Sequence, residues 1–283
     1  ISKHKNIILA TSSSSTYNLV RILSLFKIKR KFIYWVVGGD IGNSLINNEF
    51  GDNYFSNFAK ILVEGKVVKK EFEANGIYNS IVIPNFRNIL YIPKKKSQLK
   101  TSRFVFFSRI SPEKGVDLIL KCVREINHIG YDKDYSIDIY GIIEDSYKEY
   151  FLNQLKEFKN VSFKGLLDLN VKTNYNVLAS YDVLLFPTYF KGEGFPGVLI
   201  DAYIAGLPVV ASNWNLNSEV IIDGYSGVLI KPNSVNELKE IMISFLDGKI
   251  DINAMSKNCQ SMCLKYKVEN VLNDKLLKEI GLL

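Results

Sequence analysis

The chain has 283 residues, 47% hydrophobic and 23% charged, an ordinary globular balance with ample material for a packed core. No apolar run is long enough to span a bilayer and no signal-peptide pattern opens the chain, so the expected location is cytoplasmic. His4 and His128 are the only histidines and neither has a ligand neighbour at metal spacing, which argues against a metal site. Three cysteines occur, Cys122, Cys259 and Cys263. The last two sit four apart in a helical pattern and read as reduced, partly buried thiols rather than ligands. Residues 1–100 carry 16 Lys and Arg against 6 Asp and Glu, and the remainder carries 20 against 23. A basic front and a mildly acidic back point to two domains with different partners. No nucleic-acid motif is present, so the basic front suits an anionic membrane surface.

In chain order, apolar strands are expected at 7–10, 32–37, 60–63, 81–84, 103–107, 136–140, 161–164, 183–186, 208–211 and 227–230. Helical patterns lie between most of them, at 66–75, 115–127, 146–158 and 198–205, with a last helix at 268–280. This alternation predicts parallel sheets with helices on both faces. The chain opens on Ile1 and enters a strand at once (KNIILA), the pattern expected of a domain whose beginning is missing. The polar, basic stretch 93–102 (PKKKSQLKTS) reads as a linker. The expected organisation is therefore a partial domain at 1–92, a linker at 93–102, a complete α/β domain at 103–265 and a terminal helix at 266–283. Within 17–32 (YNLVRILSLFKIKRKF) an apolar helix carries Arg21, Lys27, Lys29, Arg30 and Lys31. The cluster is either the basic exit of a core helix or a docking surface for anionic lipid.

In folds of this kind ligands bind outside the carboxyl ends of the strands. The loop after RFVFF reads SRISPEKG. Ser111 suits an N-cap and Pro112 the first helical position, which places Lys114 in the first turn, where a cation opposes the helix dipole. Arg109 sits at the strand exit. Two cations and a helix start together make a diphosphate site, although two solvated surface cations would give the same pattern. The loop after VLLFP reads TYFKGEGFPGVLID. Gly194 and Gly197 let the backbone approach a ligand, and the free amides of a helix start can receive phosphate or sugar oxygens. Asp201 lies one turn beyond Gly197 and can present two acceptors to a ribose diol, and Glu193 can do the same for a hexose. Both would otherwise be surface charges. Asp201, however, is set among Leu199, Ile200, Ala202 and Ile204, where a lone carboxylate is costly.

These loops carry a resemblance. Residues 181–222 resemble the signature region of the group 1 glycosyltransferases (glycosyltransferase family 4). Glu193 and Asp201 stand at the two ends of the family's E-x7-E motif, with Asp in the second place. AYIAGLPVVAS, EVIIDGYSGVLIKP and SRISPEKG are similar to three further family segments. The likeness runs through 100–265 and, more weakly, 53–88. It implies the α/β GT-B fold of two Rossmann-like domains facing a cleft, and a retaining, metal-independent transferase that needs no cofactor. The substrate implied is a nucleotide sugar, a UDP-sugar rather than a GDP-sugar. The acceptor implied is a glycan or a lipid-linked glycan, as in bacterial capsule, exopolysaccharide and lipopolysaccharide synthesis. On this pattern Arg109 and Lys114 neutralise the leaving diphosphate, Glu193 holds the donor sugar and Asp201 the ribose. The backbone of Gly194, Phe195, Pro196 and Gly197 would contact sugar and phosphate, and Gly165, Leu166 and Leu167 would hold the base. The sequence departs from the family at Gly141-Ile142-Ile143-Glu144, where a glycine-rich turn is usual. It departs again after FIYWVV, where no histidine follows. Asp40 either takes that histidine's place or caps a turn. Ser12 to Ser15 and Thr16 either line the acceptor side or cap a helix. Three rival readings are an inactive donor-binding subunit, an epimerase of the same fold, and a metal-dependent transferase using Asp132-Lys133-Asp134. That last triplet falls in a polar connection and reads as a solvated loop.

Overall fold

A computed structural model of the chain describes residues 6–11, 15, 18–19, 22, 31–38, 54–94 and 102–283. Asp40, Ser12, Ser13, Ser14 and Thr16, most of the helix expected at 17–32, and most of the linker expected at 93–102 lie outside the described residues. The chain divides into two compact units. One comprises 1–87, 191–196 and 266–283, and the other 88–190 and 197–265.

In the first unit, β1 (Asn6–Thr11), β2 (Lys31–Val36), β3 (Phe58–Val63) and β4 (Ser80–Val82) form a parallel sheet in the order β1-β2-β3-β4. Strand side chains alternate between faces, so each face needs its own cover. Tyr34, Val36, Ile61 and Val63 join a core with Phe72 of α1 (Lys66–Ala74). The alternate positions Ile33 and Leu62 face the other way and pack with Val271 and Ile280 near the end of the chain. The terminal segment thus covers the second face of the first sheet. It is not the single helix expected at 268–280. Two short helices occur, α9 (Val268–Val271) and α10 (Asp274–Glu279), broken at Leu272 and Asn273. Asn273 is extended there and its Oδ1 accepts the amide of Leu276 at 3.0 Å, so a local cap replaces helix continuation.

The second unit holds β5 (Ser102–Phe107), β6 (Tyr135–Tyr140), β7 (Val161–Phe163), β8 (Val183–Phe186), β9 (Val209–Ser212) and β10 (Gly227–Ile230). All are parallel, in the order β10-β9-β8-β5-β6-β7. β8 and β9 are buried at every residue, as central parallel strands covered on both faces must be. The intervening helices are α2 (Val116–His128), α3 (Lys148–Leu155), α4 (Tyr175–Leu178), α5 (Gly197–Ile204), α6 (Asn217–Val220), α7 (Val235–Leu246) and α8 (Ile252–Cys263). In α2, Val116, Ile119, Leu120, Val123 and Ile126 recur at helical spacing and are buried in one core with Leu238, Met242 and Phe245 of α7. The three cysteines are free and buried, and burial pushes the Cys122 thiol up to about 12 and that of Cys263 to about 11.

The chain runs outward from β5 through β6 to β7, then returns to β5's other side at β8 and continues to β10. β5 and β8 are therefore the strands from which successive connections leave in opposite directions. The crevice at their carboxyl ends is where open α/β sheets bind ligands. The loops after β5 and β8 meet there. Gly115 adopts φ +85°, and a Cβ on it would lie 2.2 Å from the carbonyl oxygen of Pro187. Only glycine satisfies both the left-handed backbone and the close approach. Gly130 has a similar φ of +97° but open space around it. Gly130→Ala is accordingly expected to cost roughly 1 kcal/mol, the conformational term alone, and Gly115→Ala about 3 kcal/mol or more, because overpacking adds to it. Urea unfolding of the two variants checks this. Equal losses would show that backbone conformation, not the contact with Pro187, fixes Gly115.

Candidate functional site

The loop after β5 does not enter α2 directly. Pro112–Lys114 form a 3-10 turn, Gly115 follows in the left-handed region, and α2 starts at Val116. Lys114 therefore precedes the helix instead of occupying its first turn, and Ser111 makes no side-chain cap bond. The loop after β6 pins the strand exit. Ile110 donates its amide to Ile142 at 2.8 Å and accepts from the Glu144 amide at 3.0 Å, a short parallel bridge. A Cβ on Gly141 would fall 1.8 Å from the Ser108 carbonyl oxygen. The segment that departs from the family's glycine-rich turn thus holds the base of the Arg109 loop in place.

The loop after β8 interlocks with that of β5. The Tyr189 amide donates to the Glu113 carbonyl at 2.9 Å, and the Thr188 hydroxyl donates to the same oxygen at 3.4 Å. The Trp214 indole N–H donates to the Phe190 carbonyl at 2.8 Å. These bonds fix Phe190, and its ring carries both expected cations. The guanidinium carbon of Arg109 lies 5.3 Å, and the Lys114 ammonium 4.8 Å, from the ring centroid. Arg109 is exposed, whereas Lys114 is only 6% exposed. The negative face of an aromatic ring attracts a cation by about 0.5–1 kcal/mol at exposed sites and more when water is excluded. Phe190 therefore holds two like charges near one point. The sequence reading missed it, although an aromatic following a buried strand at a crevice edge was a usable signal.

Asp201 lies in α5, which is buried over almost its whole length. The carboxylate is 5% exposed, and its Oδ1 accepts the Tyr175 hydroxyl of α4 at 2.7 Å. The partner that burial demands is thus 26 residues earlier in the sequence. Gly165, at φ +77°, accepts the Gly141 amide at 2.9 Å through its carbonyl. Leu166 beside it is 68% exposed and Leu167 is half-buried, so an apolar side chain is presented at this loop. Asp132, Lys133 and Asp134 are exposed in a turn before β6.

Glu193, Gly194, Phe195 and Pro196 belong to the segment 191–196 of the first unit. Glu193 is 8% exposed. Both backbone polar groups of Phe195 are taken by side chains from strand ends. Its amide donates to Glu64 Oε2 at 3.0 Å, and its carbonyl accepts from Asn85 Nδ2 at 3.2 Å. Its ring stands edge-on to Tyr266, with centroids 5.5 Å apart. A Cβ on Gly194 would lie 2.4 Å from Glu64 Oε2, so a side chain there would displace the Glu64 carboxylate. Burial raises the Glu64 pKa above the ordinary carboxylate value, an effect partly offset by the bond from the Phe195 amide.

With this geometry in hand, comparison with known proteins places the loops in context. Residues 89–262 match the family described as Glycosyl transferases group 1. An uncharacterized glycosyltransferase of Methanocaldococcus jannaschii is 25% identical over 236 residues, covering 80% of this chain and 62% of that protein. Over 86 residues, 30% of this chain and 21% of the relative, the chain is 33% identical to the UDP-Gal:alpha-D-GlcNAc-diphosphoundecaprenol alpha-1,3-galactosyltransferase of Escherichia coli. Among solved structures, Anabaena HepE in complex with UDP superposes with a TM-score of 0.77 at 17% identity, over 98% of this chain and 79% of that one. The fold is GT-B. The chain spans about half the length of the curated relatives it matches.

A double-mutant cycle of Tyr175→Phe and Asp201→Asn tests the buried pair. A hydrogen bond to a charged group predicts a coupling of about 1.5–3 kcal/mol in urea unfolding. Additive losses would mean that Asp201 is satisfied without Tyr175.

Proposed function

The chain belongs to the glycosyl transferases of group 1, and from that premise we propose that it moves a sugar from a UDP-sugar to a glycan or lipid-linked acceptor in cell-surface polysaccharide synthesis. One observation carries the reading: Arg109 and Lys114 converge on the Phe190 ring at the crevice between β5 and β8. Two cations held close together repel each other and favour a bound polyanion, and the diphosphate, a dianion in the donor, gains one more negative charge as its bond to the sugar breaks. Preorganised charge of this kind stabilises a leaving group without reorganising as the bond breaks. Such neutralisation by protein cations is the basis for proposing metal-independent transfer. Retention of configuration at the sugar is proposed on the family resemblance alone.

The remaining roles follow the family pattern. Asp201, held by Tyr175, takes the ribose diol. Leu166 offers its exposed apolar surface to the base, with Gly165 and Leu167 shaping the loop. Glu193 takes hydroxyls of the donor sugar, and the backbone of Gly194, Phe195, Pro196 and Gly197 contacts sugar and phosphate. A uracil base is preferred to guanine because the Escherichia coli relative and Anabaena HepE are named with UDP species. The name of the first also supports a lipid-linked acceptor.

Calorimetry with UDP and uridine tests the donor site. Arg109→Ala and Lys114→Met, which keeps the buried stem, are each expected to weaken UDP binding by about 1.5–3 kcal/mol and uridine binding far less. Glu193→Gln should weaken a UDP-sugar but not UDP. Equal losses for UDP and uridine would remove the diphosphate assignment.

We further propose peripheral association with an anionic membrane. Among the described residues no helix is long and apolar enough to cross a membrane. The support is the basic first hundred residues, including Arg21, Lys27, Lys29, Arg30 and Lys31. Each such residue near the surface contributes about 1 kcal/mol. The chain should co-sediment with phosphatidylserine vesicles at low salt and be released at high salt. Equal sedimentation with neutral vesicles would rule out an electrostatic attachment.

A further inference from the structure

The exit loop of β9 is strained in a way that the sheet does not require. β9 pairs with β8 on the side away from β5, so its exit lies beside that of β8. The chain turns at once, and the Trp214 amide donates back to the Ser212 carbonyl at 2.8 Å. Asn215 then adopts φ +44°, a left-handed backbone that a residue with a side chain rarely takes. Asn217, fully buried, clamps the turn. Its Nδ2 donates to the Ser212 carbonyl at 2.9 Å, and its amide to the Trp214 carbonyl at 3.0 Å. Asn217 Oδ1 and Ser212 Oγ are buried as well and make no hydrogen bond among the described residues. Unpaired buried polar atoms and a left-handed asparagine both oppose this conformation, and they persist only where the surroundings enforce it.

What the turn holds is Trp214, a half-buried side chain. Its indole N–H donates to the Phe190 carbonyl at 2.8 Å. The Phe190 amide donates to the Thr188 hydroxyl at 3.3 Å, and that hydroxyl donates to the Glu113 carbonyl at 3.4 Å. Both backbone polar groups of Phe190 are therefore taken, one from within its own loop and one from the next strand's exit. The bond to its amide is long, whereas the indole bond has ordinary length. Phe190 is also the last residue of the second unit before the chain enters the first at Lys191. Within its unit, backbone continuity steadies it from one side only. The indole supplies the second anchor.

We infer that Trp214 is a positioning residue for the anion site: its indole N–H fixes the Phe190 carbonyl, and with it the ring on which Arg109 and Lys114 converge. The inference deepens the donor reading and rests on it for the role of the two cations. The work falls to the N–H and not to the bulk of the ring. A tryptophan that only packed would act through its shape, and any side chain of the same shape would serve. Small displacements matter here. The cation contacts, at 4.8 and 5.3 Å, already stand close to the roughly 6 Å limit of such attraction, so a shift of the ring by about 1 Å loosens Arg109.

The test uses the whole chain carrying Trp35→Phe, which leaves Trp214 as its one tryptophan. Growth on benzothienylalanine then replaces the N–H of Trp214 by sulfur and keeps the fused rings, and a single cooperative melting transition shows that the chain is folded. Calorimetry follows UDP, inorganic pyrophosphate and uridine. The isostere is expected to weaken UDP and pyrophosphate about three- to tenfold, as loss of one hydrogen bond predicts, and to leave uridine unchanged. In a chain that also carries Phe190→Leu, which has no ring to position, the same replacement should change nothing further. An isostere that binds UDP and pyrophosphate as tightly as the tryptophan does overturns the inference. So does an equal loss with and without Phe190→Leu, or an equal loss for uridine. If Arg109→Ala and Lys114→Met weaken UDP and the isostere does not, the donor reading stands without Trp214. Pyrophosphate binding that the isostere weakens, in a chain that fails to bind UDP, upholds the positioning role and removes the donor reading. A chain that binds neither UDP nor pyrophosphate removes both.

Discussion

The second unit depends on the contact between Gly115 and the Pro187 carbonyl. Parallel strands with opposite onward connections leave their exit loops side by side, but adjacency does not fix either loop. Here the two backbones touch at a distance that excludes any side chain at residue 115. The contact brings the Glu113 carbonyl within reach of both the Tyr189 amide and the Thr188 hydroxyl, so one oxygen ties the loops together. Loops are normally the mobile part of a fold. These two are held by backbone approach and buried bonds, so the groups they carry are placed with the accuracy of the sheet itself.

What they carry is positive charge, part of it buried. A lysine that is 6% exposed has lost most of its hydration, and a second cation shares its aromatic partner. The ring's attraction, about 0.5–2 kcal/mol per cation, offsets part of the desolvation and repulsion. Trp214 adds rigidity, since its indole holds the carbonyl of the residue whose ring does the holding. An arrangement that concentrates positive charge at a strand-end crevice suits an anion.

The strands were legible because buried parallel strands are written as apolar runs. Those expected at 183–186 and 227–230 coincide with β8 and β10, and most others agree within a residue or two. The loops were legible from residue type: glycines, a proline and paired cations after such runs. Long-range partnerships were not. Nothing near Asp201 points to Tyr175, and nothing near Phe195 points to Glu64, which lies 131 positions away in the chain. Glu64 did carry a signal, a carboxylate placed directly after the apolar run ILV. The helix break at Asn273 was also readable, since Asn followed by Asp is a common helix start. Apolar periodicity on both sides of the break masked it. Asp40 and the basic cluster before β2 lie outside the described residues.

Under the glycosyltransferase reading, Asp201 stands where the family's motif has a glutamate. It reaches one methylene less far, about 1.5 Å. A glutamate can lean towards its ligand, but an aspartate in a helix buried on nearly every side has little freedom to do so. Its direction must be set from outside, and the Tyr175 hydroxyl does this at 2.7 Å. A carboxylate has about four acceptor positions, of which the tyrosine bond takes one. The same bond orients what remains. Under the glycosyltransferase reading, the nucleoside must then come to the carboxylate. Its depth in the second unit is fixed by α4, the short helix that supplies Tyr175, as much as by α5, which bears Asp201.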